Sequence, residues 1–371
     1  LSNMPLTIKT PGKLMIAGEF AVLEPNYKLV VMAVDRFVYT TLNEASEYTI
    51  TLENFSLDNL RWQYKDGHAF IESKDERVLY TSNALDVACR YLDELNIPIK
   101  PMHIAIRSEL DDASGRKYGL GSSAAVVTSI ISAILTAYLP HPPEPMLVFK
   151  LAAITHVNTQ GNGSGADVAA SAYGGFIEYT SFQAEWLREA NRTTQSLIEL
   201  VNMNWEYLSI KPFRLPEHAH MAIGWTGTPA STGQLVKNIL KLKVTDLEAY
   251  EQFLLDSKTA VAQFIQGAKV NDIPLMQAGI KKNRHALARV GMEAGVDIET
   301  DVLKTLCDIA ERCGGAGKSS GAGGGDCGIA VMTTHDQVDR LEERWTSVGI
   351  EPLSLRMAPQ GAAVTKDCNE N

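Results

Sequence analysis

The sequence has few cysteines, no long apolar run and no excess of positive charge, and each shortage removes a class of protein. Its five cysteines, Cys89, Cys307, Cys313, Cys327 and Cys368, make an odd count without a Cys-x-x-Cys pair. That argues against a disulfide framework and against a structural zinc site. Reduced thiols in a cytoplasmic protein are expected instead. No apolar stretch reaches the roughly 20 residues of a membrane-spanning helix. No secretory leader is legible either, so no membrane partner is expected. Lysine and arginine number 34 against 44 aspartates and glutamates, a formal net charge of −10. Nucleic acid, which is gripped by a basic face, is therefore not an expected partner. An anionic small molecule must be caught by local positive sites, because the global field opposes it.

What remains is an ordinary globular composition, 45% hydrophobic and 21% charged over 371 residues, long enough for two domains with full cores. Strand-like runs occur at Lys13–Gly18, Val30–Leu42, Tyr48–Leu52 and His103–Ser108. A helix is predicted over Ala84–Leu95, with Ser82 or Asn83 as its cap. The best-defined helix starts near Ser122, carries Val127, Ile130, Ile131, Ile134, Leu135 and Tyr138 on one stripe, and stops before Pro140. A further helix near 146–158, a glycine loop at Gly161–Gly165 and a strand at Phe176–Tyr179 follow. The polar, weakly patterned stretch 183–204 is where a boundary is expected, giving domains at 4–200 and 205–365. Strands at Trp205–Ile210 and Met221–Trp225 lead into helices near 232–242, 246–267, 273–290 and 300–313. A glycine tract at Gly314–Gly328 then opens onto a strand at Ile329–Thr333, a helix near 337–348 and a strand at Leu353–Arg356. Interleaved strands and helices with possible hairpins predict an α+β fold rather than a doubly wound sheet.

Three glycine-rich segments carry the chemistry. Gly119-Leu120-Gly121-Ser122-Ser123-Ala124 lies directly ahead of the best helix. A helix N-terminus offers unpaired amides and partial positive charge, glycines let backbone approach a phosphate, and serine hydroxyls add hydrogen bonds or a magnesium ligand. The segment is thus a candidate anion site, although a serine-capped glycine turn would read the same way. Its G-x-G-x-x-A spacing is not a dinucleotide fingerprint, since Glu109–Tyr118 separates it from the preceding strand. Gly317-Lys318-Ser319 likewise fails as a Walker A ending, because Arg312 stands where the first glycine is required. The second segment, Lys318-Ser319-Ser320-Gly321-Ala322-Gly323-Gly324-Gly325-Asp326, could be a flexible linker, but it runs straight into an apolar strand and is read as a shaped loop against a ligand. The third, Asn162-Gly163-Ser164-Gly165, opens a short helix at Asp167, an acid that could be dipole-stabilised only. Near the start, Pro11-Gly12-Lys13 begins an apolar strand, where the lysine is either solvated or a fixed cation.

Together these segments resemble the GHMP kinase superfamily, whose members include galactokinase, homoserine kinase, mevalonate kinase and phosphomevalonate kinase. Pro11–Val22, Gly119–Ala125 and Ser320–Gly328 look like its three motifs, in order. Within it the likeness is to the bacterial phosphomevalonate kinases, through Gly18–Pro25, Tyr118–Ser123, Gly224–Thr232 and Asp326. The resemblance implies a ribosomal protein S5-like N-terminal domain and a ferredoxin-like C-terminal domain, with ATP and acceptor meeting between them. It implies Lys13 and Asp167 as catalytic residues and Lys117 with Gly119–Ala124 as the ATP site. It also implies Ser123 as a magnesium ligand, with ATP and Mg2+ as the cofactors. Lys13, Glu19, Ser164, Ser231, Thr232, Arg284, Ser320, Gly321, Ala322 and Gly323 are the expected acceptor contacts. Mevalonate kinases carry a magnesium-binding glutamate eleven residues before the aspartate, and here that position is His156. The expected reaction is transfer from ATP to 5-phosphomevalonate. A hydroxyl acceptor such as mevalonate is the alternative, and monomer and homodimer both stay open.

Overall fold

The computed structural model describes residues 3–365. Its first sheet begins with eight strands: β1 (Leu6–Ala17), β2 (Leu29–Glu44), β3 (Thr49–Leu52), β4 (Leu57–Lys65), β5 (His68–Ile71), β6 (Met102–Ser108), β7 (Phe176–Thr180) and β8 (Ser209–Phe213). The order β1-β2-β6-β3-β4-β5 forms the main path, and β7 with β8 branches from β2. The branch exists because β2 is sixteen residues long. Its first part pairs with β7 and its last part with β6. Between them the ladder with β1 jumps from Pro11↔Phe37 to Gly12↔Val34. Such a bulge bends a strand and re-aims its side chains; it also tolerates a proline, which has no N–H for the ladder.

Helices α1 (Leu79–Glu94), α2 (Ser122–Tyr138), α3 (Pro145–Gln160) and α4 (Ala166–Tyr173) pack on one another. Through α2 and α4 they pack onto β1 and β2. Of the stripe read from sequence, Val127, Ile130, Ile131, Ile134 and Leu135 of α2 are fully buried and Tyr138 is 8% exposed. Helices α5 (Ala184–Thr193) and α6 (Leu197–Asn202) occupy the stretch expected to be unpatterned. A carboxylate far away in sequence caps α6: Glu94 accepts from Ser196 Oγ and from the amides of Leu197 and Ile198.

The second half holds α7 (Thr232–Thr245), α8 (Leu247–Lys269), α9 (Ile273–Ala294), α10 (Asp301–Arg312) and α11 (His335–Ser347). Its four strands are β9 (His220–Trp225), β10 (Ala316–Ser319), β11 (Cys327–Met332) and β12 (Glu351–Leu353). These strands pair antiparallel in the order β10-β11-β9-β12. A β-α-β-β-α-β path with the first and third strands central is the ferredoxin-like arrangement. The strand β10 lies inside the glycine tract that the sequence presents as a loop, and all four of its residues are buried.

The two halves are interlaced. The strand β8 pairs with β7, and a last strand, β13 (Ala363–Val364), pairs with β1. Both lie after residue 205, yet both belong to the first sheet. We therefore propose that the division of the halves falls between β8 and β9, with residues 355–365 returning to the first half. Trp205, expected to open a strand, is buried with its indole N–H on the Leu200 carbonyl. The expected cap of α1 also moves, since that helix starts at Leu79. Cys89, Cys307, Cys313 and Cys327 are free and buried, and Cys368 lies outside the described residues. No helix among the described residues is long and apolar enough to cross a membrane.

Candidate active site

The site begins at the bulge in β1. The Pro11 carbonyl accepts from Ser171 Oγ of α4 at 2.8 Å. Gly12 can only be glycine, because a Cβ there would lie 2.7 Å from the Leu120 carbonyl and 2.8 Å from a Leu110 methyl. That contact lets the Lys13 amide donate to the Leu120 carbonyl at 2.9 Å, fastening β1 beneath the glycine loop. The Lys13 side chain then runs along Gly121, whose absent Cβ would sit 2.8 Å from Lys13 Cγ. Its Nζ donates to the Gly119 carbonyl at 3.1 Å.

Gly119 and Gly121 both have left-handed backbone, with φ of 83° and 76°, which glycine adopts without steric cost. Gly121 is the N-cap of α2, and no side chain caps that helix. Its first-turn amides therefore point outward with the positive end of the helix dipole and no acid in the first turn. Asp326, from the mouth of β11, stands beside the loop; a Cβ on Gly119 would come within 2.6 Å of its carboxylate. That carboxylate is itself fixed by the Ala230 amide at 2.9 Å. Below the loop, Cys327 donates to the Tyr118 carbonyl, and the Tyr118 ring packs edge-on against Trp225 at 4.7 Å. Burial pushes the Cys327 thiol up to about 12. The glycine loop is thus clamped between the two halves.

These residues open onto a cleft of about 860 Å³. Its lining includes Lys13, Lys117, Gly119, Leu120, Gly121, Ser122 and Ser123, and also Ser164 and Asp167 of the α4 entry. From the second half come Thr232, Ser320, Gly321, Ala322 and Asp326. Ser123 Oγ lies 3.2 Å from His156 Nε2, and His156, which is buried, also lines the cleft. Asp167 accepts from the Val168 amide at 2.9 Å, at the dipole-positive start of α4. Among the described residues no ion pair within 4.0 Å joins it to Lys13. Asp111 sits at the rim; burial pushes its carboxyl up, against the pull of Lys117.

Five expected site residues are placed differently. Arg284 is away from the cleft, 6% exposed, and held by Glu299 at 2.5 Å, Asp308 at 2.8 Å and Glu311 at 3.1 Å. Three of its five N–H donors are used by carboxylates, and it is not part of the cleft wall. Ser231 is the exposed N-cap of α7 and is not part of the cleft wall. Ala124 is buried within α2 behind the loop. Gly323 packs on protein, since its Cβ would fall 2.4 Å from the Ile298 carbonyl, whereas Gly321 faces open space. Glu19 does line the cleft, but both of its oxygens accept from Lys318, and one also accepts from the Gly321 amide.

Sequence reasoning missed α5, which brings Gln183, Trp186 and Arg188 to the cleft. The only signal was a short apolar spacing, Trp186-Leu187 and Ala190, inside a polar stretch. Lys318, read as the first residue of the shaped glycine loop, instead stands fully buried in β10.

The GHMP kinases N terminal domain model matches residues 80–175, and the GHMP kinases C terminal model matches residues 264–351. A Streptomyces phosphomevalonate kinase is 30% identical over 364 residues, covering 95% of this chain and 96% of its own. A Listeria innocua protein of known crystal structure superposes with a TM-score of 0.92 at 38% identity, covering 97% of this chain and 99% of its own. Streptococcus pneumoniae phosphomevalonate kinase, solved in complex with phosphomevalonate and AMPPNP, superposes at 0.83 with 24% identity, covering 95% and 99%. With both halves matched by family models and a relative 30% identical over nearly the whole of both chains, the chain belongs to the GHMP kinase family.

Proposed function

We propose that the protein transfers the γ-phosphoryl group of ATP to the phosphate of 5-phosphomevalonate, giving ADP and 5-diphosphomevalonate. The observation that carries the phosphotransferase reading is the uncapped start of α2 directly over Lys13, in the same cleft as Asp167. The acceptor is carried by the 30% likeness to a phosphomevalonate kinase over nearly the whole of both chains. The solved complex of the Streptococcus pneumoniae enzyme pairs the same fold with phosphomevalonate and an ATP analogue.

In this reading the first-turn amides of α2 and the loop from Gly119 to Ser123 hold the nucleotide phosphates. The attacking atom is a phosphate oxygen that is already anionic near neutral pH. No strong base is required, in contrast to a hydroxyl acceptor. The obstacle is charge repulsion: two unit charges 4 Å apart cost about 4 kcal/mol at an effective dielectric of 20. Lys13, fixed by the Gly119 carbonyl, offsets that repulsion at no reorganisation cost. Asp167 orients cations on the acceptor side rather than removing a proton.

The donor set also fits magnesium. Among the described residues no cluster of three or more His, Cys, Asp or Glu could hold a metal ion. Magnesium does not need one, because it is usually held by one or two protein groups together with substrate phosphates and water. Ser123 and Asp167 line the cleft where such an ion would sit; when bound, it neutralises phosphate charge. His156 keeps the Ser123 hydroxyl in place. A compartment in the cytoplasm is part of the same reading.

ADP release measured with magnesium and a panel of acceptors tests it. Turnover is expected with 5-phosphomevalonate and little with mevalonate or homoserine. Preference for mevalonate would move the assignment to a hydroxyl-phosphorylating relative.

A further inference from the structure

A lysine beside a glycine-rich loop invites reading as a phosphate-binding cation, but Lys318 has no free charge to offer. It is fully buried, and Glu19 is 4% exposed. Lys318 Nζ donates to Glu19 Oε1 at 2.8 Å, to Glu19 Oε2 at 2.7 Å and to its neighbour's carbonyl on Ser319 at 2.5 Å. All three ammonium donors are therefore used. Glu19 Oε2 also accepts from the Gly321 amide at 2.9 Å. The pair crosses between the halves, since Lys318 stands in β10 of the second sheet and Glu19 follows β1 of the first. One residue on, Ser320 Oγ donates to the Met15 carbonyl in β1 at 2.7 Å. A buried ion pair is a poor way to add stability, because desolvation offsets most of the attraction. This one ends on a backbone amide whose residue forms the cleft wall and whose Cβ position is open space.

We propose that Lys318 is a positioning residue for the acceptor: by holding Glu19 it sets the Gly321 amide, and with it the wall made by Ser320, Gly321 and Ala322. Neither charge of the pair touches the acceptor. The inference rests on the kinase reading above, and the parent enzyme's turnover on the acceptor panel tests that reading separately. The best acceptor from the panel is then used for all variants.

The experiment compares Lys318→Met, Glu19→Gln and the double variant with the parent. It measures the thermal midpoint and separate KM values for acceptor and ATP. Each single variant is expected to raise the acceptor KM about tenfold or more, while the ATP KM moves less than about threefold. Lys318→Met is expected to lose several degrees of midpoint, about 4 °C or more, because it strands a buried carboxylate. The double variant, with no stranded charge, is expected to regain the midpoint yet keep the raised acceptor KM. If Lys318→Met fails to fold, Glu19→Gln, which keeps the side-chain shape, carries the same reading. Recovery of both midpoint and acceptor KM in the double variant would overturn the proposal in favour of a purely structural pair. Equal rises in both KM values, or unchanged acceptor KM in the single variants, would overturn it as well.

Discussion

Lys13 and Asp167 share one cleft, but their surroundings differ, and that difference ranks their substitutions. Lys13 lies along Gly121 with its ammonium on the Gly119 carbonyl, so Lys13→Met removes the fixed positive group nearest the loop. A fall in kcat of about 10²–10³ is expected, the usual cost of one preorganised electrostatic contact. Asp167→Asn keeps the acceptor atom for the Val168 amide and should cost less, since a phosphate nucleophile needs no base. Steady-state kinetics on both variants checks the ranking, and a larger loss for Asp167→Asn would instead indicate proton abstraction. Arg284 belongs to a different ledger. Its hydrogen bond holds the Asp308 carboxyl below the usual range, so the pair contributes stability above about pH 4. That contribution is lost as pH falls through the lowered value. Arg284→Met should therefore lower the thermal midpoint at neutral pH and flatten its decline on the acid side. With the cleft untouched, acceptor KM should stay near that of the parent.

At the scale of elements, the start of α2 and the bulge in β1 act as one unit. Gly121→Ala would force a side chain into φ of 76° and press it 2.8 Å from Lys13 Cγ. The backbone strain alone costs about 1 kcal/mol, and the displaced lysine adds a kinetic effect. A raised ATP KM and a reduced kcat together are expected, whereas Gly323→Ala, pressed on the Ile298 carbonyl, should chiefly lower the thermal midpoint. Parallel kinetics and melting curves for the two glycine variants would separate these effects. The same elements show what sequence can carry. The stripe of α2 and the glycine loop were legible because each rests on local chemistry: helical period, left-handed glycine, a helix start. Lys13, which the residues alone left either solvated or a fixed cation, was singled out only through the family resemblance. The paired β10–β11 hairpin was not, since Gly317, Lys318 and Ser319 have weak strand preference and are strands only through β11. Lys318 and Arg284 were misplaced for one physical reason. Whether a cation serves a ligand or a neighbouring carboxylate depends on partners that lie far away in the sequence, such as Glu19 for Lys318, or across a turn, such as Glu299 for Arg284. Helices α5 and α6 were unreadable because their support is tertiary, in Leu187 burial and in the Glu94 cap.

Across the whole molecule, the two halves meet at the glycine loops and are then tied again by the returning tail. Ala358 donates to the Ala33 carbonyl and accepts from the Gly175 amide, Ala362 donates to the Ser171 carbonyl, and Thr365 donates to the Thr7 carbonyl. Gly361 runs so close to α4 that a Cβ would lie 2.0 Å from the Ala172 carbonyl. Removing residues 356–371 should lower the thermal midpoint by several degrees, about 5 °C or more, because it strands these carbonyls and amides. It should also weaken acceptor use, as α4 carries Asp167. A truncated protein that melts like the parent would show the tail to be ornamental.

That tail also constrains how the protein is made. Strand β1 precedes its outer ladder partner, β13, with the whole of the second half between them. Until β13 is made, Ile8 and Lys9 present an unpaired stretch of edge, the sort of surface on which nascent chains associate wrongly.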